Sequence, residues 1–208
     1  MKKIKVIILL IFVIFPLKLH ALIEVDITRG NLNPLPIAVS ALYSDKDTSE
    51  ALKKEIKIDQ IGNEISTVIE NNLKATGLFN PLDKKAFLQK PDVAHLKPRF
   101  EDWSLIKAQA LITGKVEFKE DKVRVEFRLW DVLAAREMLA LAFTTVPNNW
   151  RRIGHIISDK VYERLTGEKG YFDTRIIYVS EEGPKTKRIK KLAIMDQDGF
   201  NTKYLYFR

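Results

Sequence analysis

Apolar and polar residues along the chain change their period several times, and each change predicts an element. After an unbroken apolar run over residues 6–17, residues 22–28 alternate. Ile23, Val25 and Ile27 fall on one side and Glu24, Asp26 and Thr28 on the other, as in a strand. Arg29-Gly30-Asn31-Leu32-Asn33 and then Pro34-Leu35-Pro36 break the alternation before a hairpin can form, and residues 37–42 resume it as the first firm core strand. The period then becomes helical. Ile61, Ile65, Val68, Ile69 and Leu73 form one stripe, with Asp59 placed as N-cap and Gly77 as stop.

Pro81, Pro91 and Pro98 each bias the preceding residue away from helix, so residues 79–100 read as connection with at most one helical turn within 84–89. Residues 101–110 read as a short amphipathic helix with Trp103, Leu105 and Ile106 inward. Three strands follow, at 111–119, 123–132 and 137–146, joined by hairpin-length links. In the second, Val123, Val125, Phe127 and Leu129 alternate with Arg124, Glu126, Arg128 and Trp130, which predicts an antiparallel sheet covered on one side. Ile153, Ile156, Ile157, Val161 and Leu165 then mark a second long helix, with Asn149 to cap it and Gly167 to end it.

From Tyr171 on there is no helical period. Three short strands at 175–180, 189–195 and 202–207 are separated by Gly-Pro and Asp-Gly turns, with Ile176, Tyr178, Leu192 and Ile194 expected as an apolar face. The fold class predicted is α+β: two long helices packed on a small mixed or antiparallel sheet, followed by an all-β unit, about the size of one propeller blade, that reads as part of a larger β-repeat domain. A lone blade is marginally stable, so order is expected to weaken after Ser180.

With 46% hydrophobic and 30% charged residues, the 208-residue chain has the composition of a folded core rather than a disordered tail. Lys2, Lys3 and Lys5 ahead of the twelve-residue apolar run, and Ala21 after it, predict a cleavable secretory signal over residues 1–21. Twelve helical residues span about 18 Å against a hydrocarbon core of about 30 Å. Leu19 stands where a small residue is usual, which leaves an uncleaved anchor open. This segment holds four of the 35 Lys and Arg and none of the 27 Asp and Glu, so the remainder has 31 against 27, a balance of +4 rather than +8. No basic stripe interleaves with aromatics, and nucleic acid is not expected as a partner. Without cysteine, thiolate nucleophiles, Cys-ligated metals and disulfides are excluded.

Catalytic and cofactor signals are sparse. His20, His95 and His155 lack metal-binding spacing, and His155 reads as a solvated or half-buried structural histidine; no metal and no cofactor are expected. Glu101 and Asp102 read as acidic residues favouring a helix N-terminus. Asp196-Gln197-Asp198-Gly199 resembles the start of a calcium loop, but Gly199 comes too early and no later Glu completes it; a tight turn needs no metal. No serine has a histidine base beside it in sequence, and phosphate-cradling glycine loops are absent, so neither an enzyme nor a small-molecule substrate is expected.

Several colinear segments carry a resemblance: residues 62–83, 99–116, 123–132, 148–181 and 191–201, the last containing "KLAIMDQDGFN". Together they resemble the TolB family, the periplasmic component of the Tol-Pal envelope system, over nearly the whole mature chain. The resemblance implies a signal peptide over 1–21, a partner-binding segment over 22–33, an N-terminal α/β domain over 34–168 and an incomplete propeller over 172–208, a truncated first blade of a β-propeller only. It further implies a non-enzymatic periplasmic adaptor linking inner-membrane TolA to outer-membrane Pal, for envelope integrity and for outer-membrane constriction in cell division. The TolA-contacting residues would be Leu22, Ile23, Glu24, Val25, Asp26, Ile27, Thr28, Arg29, Gly30, Asn31, Leu32 and Asn33, while contact with Pal is expected to be lost with the missing propeller. An alternative is a non-functional fragment of a split or truncated reading frame.

Overall fold

The computed structural model describes residues 33–44, 58–119 and 121–205, without the side chains of residues 58 and 59. The first helical stripe folds as α1 (Ile58–Ala75), and Ile61, Ile65, Val68, Ile69 and Leu73 are all buried. Each such side chain contributes about 1.5–3 kcal/mol by leaving water. Asp59 lies inside this helix rather than at its cap. The second stripe folds as α4 (Trp150–Thr166), burying Ile153, Ile157, Val161 and Leu165 and leaving Ile156 half-exposed. Gly77 (φ 71°) and Gly167 (φ 76°) follow the two helices in the left-handed region, where a glycine costs least. Asn149 occupies the N-cap position, but its side chain donates instead to Thr145 Oγ1 at 3.1 Å.

Beneath the two helices, which share one face, β1 (Leu35–Val39), β3 (Phe79–Pro81), β4 (Ala110–Lys119), β5 (Lys122–Asp131) and β6 (Arg136–Thr145) form one sheet in the order β3-β1-β4-β5-β6. The two-residue β2 (Tyr43–Ser44) pairs with β4 farther along. β1 is parallel to both neighbours, whereas β4, β5 and β6 are antiparallel, so the sheet is mixed.

The strand predicted at 37–42 starts two residues earlier and ends at Val39. Pro36 does not stop it. The Pro36 carbonyl accepts the Gln109 N–H at 2.9 Å, and its missing donor falls before the β4 pairing begins at Ile37↔Ala110.

Leu35, Ile37 and Val39 face the main core of α1, α4, β4 and β5, and Ala38 faces the other way. There a second cluster of Trp103, Ala94, Ala108, Leu111 and Val132 is closed by Phe87 and Trp130. The sheet is thus covered on both faces at this end, not on one. The cover comes from a 3-10 turn at Lys84–Ala86, α2 (Pro91–Ala94) and α3 (Phe100–Leu105). Pro91 starts α2, a turn the proline count does not predict, because proline fits the first helical position. α3 has only six residues, so one large side chain turns inward: Trp103 is buried while Leu105 is 73% exposed, against the expectation for Leu105.

The C-terminal sheet comprises β7 (Arg175–Glu182), β8 (Ile189–Asp196) and β9 (Lys203–Leu205). Register splits the expected apolar face, because directly opposed residues share a side. Ile176 and Tyr178 stand opposite Met195 and Ala193, whereas Ile194 and Leu192 stand opposite Ile177 and Val179. Ala193 is fully buried; Ile177 and Val179 are exposed.

Candidate functional site

Of the residues expected to contact a partner, Leu22, Ile23, Glu24, Val25, Asp26, Ile27, Thr28, Arg29, Gly30, Asn31 and Leu32 lie outside the described residues. Asn33 is described; it is exposed and leads through Pro34 into β1. The segment therefore joins the sheet at its second strand, beside β3.

Among the described residues, titratable groups gather where the first turns of α4 meet the β8–β9 turn. A cleft of about 510 Å³ opens there. Helical spacing places Arg151 and His155 one turn apart on α4, and both look toward the turn formed by Asp196, Gln197, Asp198 and Gly199. The turn is closed by Asp196 N–H to Phe200 O at 2.8 Å, with Gly199 at φ 87°, so the expectation of a tight turn holds. The Arg151 guanidinium pairs with the Asp198 carboxylate and lies 3.7 Å from the centroid of the Phe200 ring. Arg152 grips Asp173 through Nε–Oδ1 at 2.9 Å and Nη2–Oδ2 at 3.0 Å.

His155 is 2% exposed, not solvated or half-buried as its neighbours in sequence suggest. Its partner is remote: Asn72 Nδ2, on α1, lies 2.9 Å from His155 Nδ1 and donates to Ser158 Oγ at 2.9 Å. The Asn72 carbonyl oxygen is taken by Gln197 Nε2 at 3.0 Å, and Ser158 sends its own hydroxyl hydrogen to Gly154 O at 2.8 Å. These bonds orient the amide with its NH₂ toward the ring, which makes His155 Nδ1 an acceptor and places the ring proton on Nε2. Nε2 is buried with no hydrogen-bond partner among the described residues and stands 3.7 Å from Asp198 Oδ2. Burial lowers the pKa of His155 below its ordinary value, outweighing the opposite pull of Asp198.

His155, Asp196 and Asp198 offer ligand atoms within 4.8 Å of one another. A cation would need a free Nε2 lone pair and a free Asp198 carboxylate. The first carries the proton and the second holds Arg151, so the set is built as a hydrogen-bonded joint.

The remaining candidates are structural. Glu101 and Asp102 lie in the first turn of α3, where Asp102 accepts from Arg99 Nε at 2.8 Å. His95 stacks on Tyr43 with ring centroids 4.7 Å apart, its Nδ1 3.0 Å from Pro91 O. Ser158, beside His155 in space, spends its hydroxyl on the backbone and is no nucleophile. Asn72 and Gln197 were not legible as members of the site. The one sequence signal is Gly154 beside His155, a residue without a side chain inside a helical stripe.

Comparison with known proteins places this architecture. The family profile of the TolB amino-terminal domain matches residues 23–138. The Tol-Pal system protein TolB of Pelagibacter ubique (strain HTCC1062) is 76% identical over 196 residues, covering 94% of this chain and 44% of that protein. The chain thus spans less than half the length of this curated relative. The crystal structure of TolB from Acinetobacter baumannii superposes with a TM-score of 0.65 at 22% identity, covering 82% of this chain and 38% of the other, which supports the fold. This is a family of Tol-Pal system proteins, not of enzymes. On the profile match and the close relative together, the chain belongs to the TolB family.

Proposed function

We propose that the chain is a periplasmic, non-enzymatic adaptor of the Tol-Pal system that contacts TolA through residues 22–33. The observation that carries this reading is the family match, which begins at residue 23 and so takes in the alternating segment. Ile23, Val25 and Ile27 against Glu24, Asp26 and Thr28 suit a strand that a partner can pair with through its backbone, the side chains supplying specificity. Arg29, Gly30, Asn31, Leu32 and Asn33 separate that strand from the start of β1, so pairing with a partner need not disturb the core.

The resemblance assigns contact with Pal to the propeller. Only three strands of that kind are described here, and we place Pal binding, and with it the link from TolA to the outer membrane, outside these residues. Export is read from Lys2, Lys3, Lys5 and the apolar run before Ala21.

The test is capture of purified TolA by this chain. Binding is expected for the chain starting at Leu22, loss for a chain starting at Pro34, and no capture of Pal by either. Equal binding of TolA by both chains would reject the segment. N-terminal sequencing of the exported protein should begin at Leu22; a start at Met1 would replace the cleaved signal with an anchor.

A further inference from the structure

Three separate parts of the chain meet at His155: α1 through Asn72, α4 through Ser158 and Gly154, and the β8–β9 turn through Gln197 and Asp198. We infer that His155 is a proton-operated latch, closed when the ring is neutral and opened by protonation at Nδ1, which releases the β8–β9 turn from the helical layer.

The geometry gives the reason. In the neutral ring Nδ1 accepts from Asn72 Nδ2 at 2.9 Å. A proton arriving at Nδ1 would set two donors against each other at that distance. Rotating the Asn72 amide would present its oxygen to the ring, but it costs the donation to Ser158 Oγ (2.9 Å) and breaks the bond from Gln197 Nε2 (3.0 Å) unless the Gln197 amide turns over as well. Ser158 cannot compensate, because its hydrogen is committed to Gly154 O. Every arrangement of the protonated ring therefore gives up a buried bond at Asn72 and forces the Gln197 contact, which ties the turn to α1, to break or re-form.

The surroundings keep the latch closed at neutral pH and make it responsive below it. The β8–β9 turn presents Asp196 and Asp198; the connection after α4 presents Asp173, held by Arg152; β7 presents Arg175, 3.8 Å from Asp196. Lys203 of β9 lines the same cleft, α4 itself presents Arg151, and α1 presents Asn72, which does not titrate. Burial and Arg151 oppose a charge on the ring, and the three aspartates favour it. The pull of Asp198, whose carboxylate Arg151 already holds, is outweighed by burial, so a charge on the ring works against the closed turn. This reading concerns the joint within the chain and stands whether or not residues 22–33 bind TolA.

The experiment is NMR on this chain between pH 7.5 and pH 5. The ¹⁵N shifts of His155 should show the proton on Nε2 at pH 7.5, with a titration midpoint below the ordinary value of 6.5. Protection factors of the Asp196 and Gly199 amides, which close the turn, should fall with pH by up to about tenfold per unit between the folded and unfolded midpoints. Those of β4 and β5 should stay constant. In His155→Gln the turn should lose this pH dependence. Should that variant not fold, Gln197→Ala cuts the latch on the turn side and should already show the lowered turn protection at pH 7.5. A proton on Nδ1 at pH 7.5, turn protection that stays constant while His155 titrates, or Gln197→Ala protection equal to the parent's would each overturn the proposal.

Discussion

Asp159 Oδ1, in the middle of α4, accepts the backbone N–H of Phe172 at 2.6 Å, and its second oxygen takes that of Asp173 at 3.1 Å. One carboxylate thus anchors the connection between the last helix and the C-terminal sheet, with the Phe172 ring buried edge-on to Tyr162 at 5.9 Å. Asp159→Ala should destabilise the chain by about 1.5–3 kcal/mol, since hydrogen bonds to a charged acceptor are lost and two donors are left unpaired. Asp159→Asn, which keeps one acceptor oxygen, should cost less. Urea unfolding of the three proteins checks the order, and an Ala variant as stable as the parent would refute it.

Gly154 is where α4 crosses α1. A Cβ built there would stand 2.9 Å from Val68 Cγ1 and 3.0 Å from Val68 Cβ, and a β-branched side chain has little room to give. Gly154→Ala should therefore cost about 1–3 kcal/mol despite alanine's better helix propensity. Adding Val68→Ala should recover part of that loss. A double-mutant cycle measures it; additivity of the two changes would show that the crossing is not the cause.

Gln89, 4% exposed, is a clamp within the second core cluster. Its Oε1 accepts both Trp103 Nε1 and the Arg99 N–H at 3.0 Å, and its Nε2 donates to Lys97 O at 3.2 Å. Gln89→Leu should cost about 1–3 kcal/mol by leaving the buried indole N–H unpaired. Fluorescence of Trp103 should shift as α3 loosens, and an unchanged emission together with an unchanged Tm would count against the clamp.

Glu70 supplies a pH test. Burial raises its pKa above the ordinary 4.5, more than the adjacent Lys84 ammonium, at 3.1 Å, lowers it. The folded state then holds this proton more tightly than the unfolded one, so the group's stabilising contribution is complete below about pH 4.5 and is lost as pH rises through the higher folded value. Glu70→Gln should accordingly raise Tm at pH 7 and leave it close to the parent's at pH 4. A lower Tm at pH 7 would mean that the Lys84 pair dominates.

The parts of this fold that could be read in the sequence are those whose signal is local. The stripes of α1 and α4, their glycine stops and the β4-β5-β6 meander follow from spacing within a few residues. What escaped depends on partners far away in the chain. Leu105 is exposed although α3 reads as amphipathic, because a helix of six residues turns Trp103 inward and only Ile106, just past its end, packs on the same cluster. The C-terminal apolar face divides between the two sides of its sheet, because alternation within each strand does not give the register between them. The burial of His155 is not legible locally, because its partner Asn72 lies 83 residues earlier, on a helix that meets α4 at Gly154.

The place of β1 in its sheet also sets an order of events. β4, β5 and β6 pair with their neighbours in sequence, but β1 finds its partners only at residues 79–81 and 110–112. Closing loops of that length is slow compared with forming hairpins, so the meander and its helices should assemble first and β1 should be captured late. The first described strand in sequence is thus expected among the last in time.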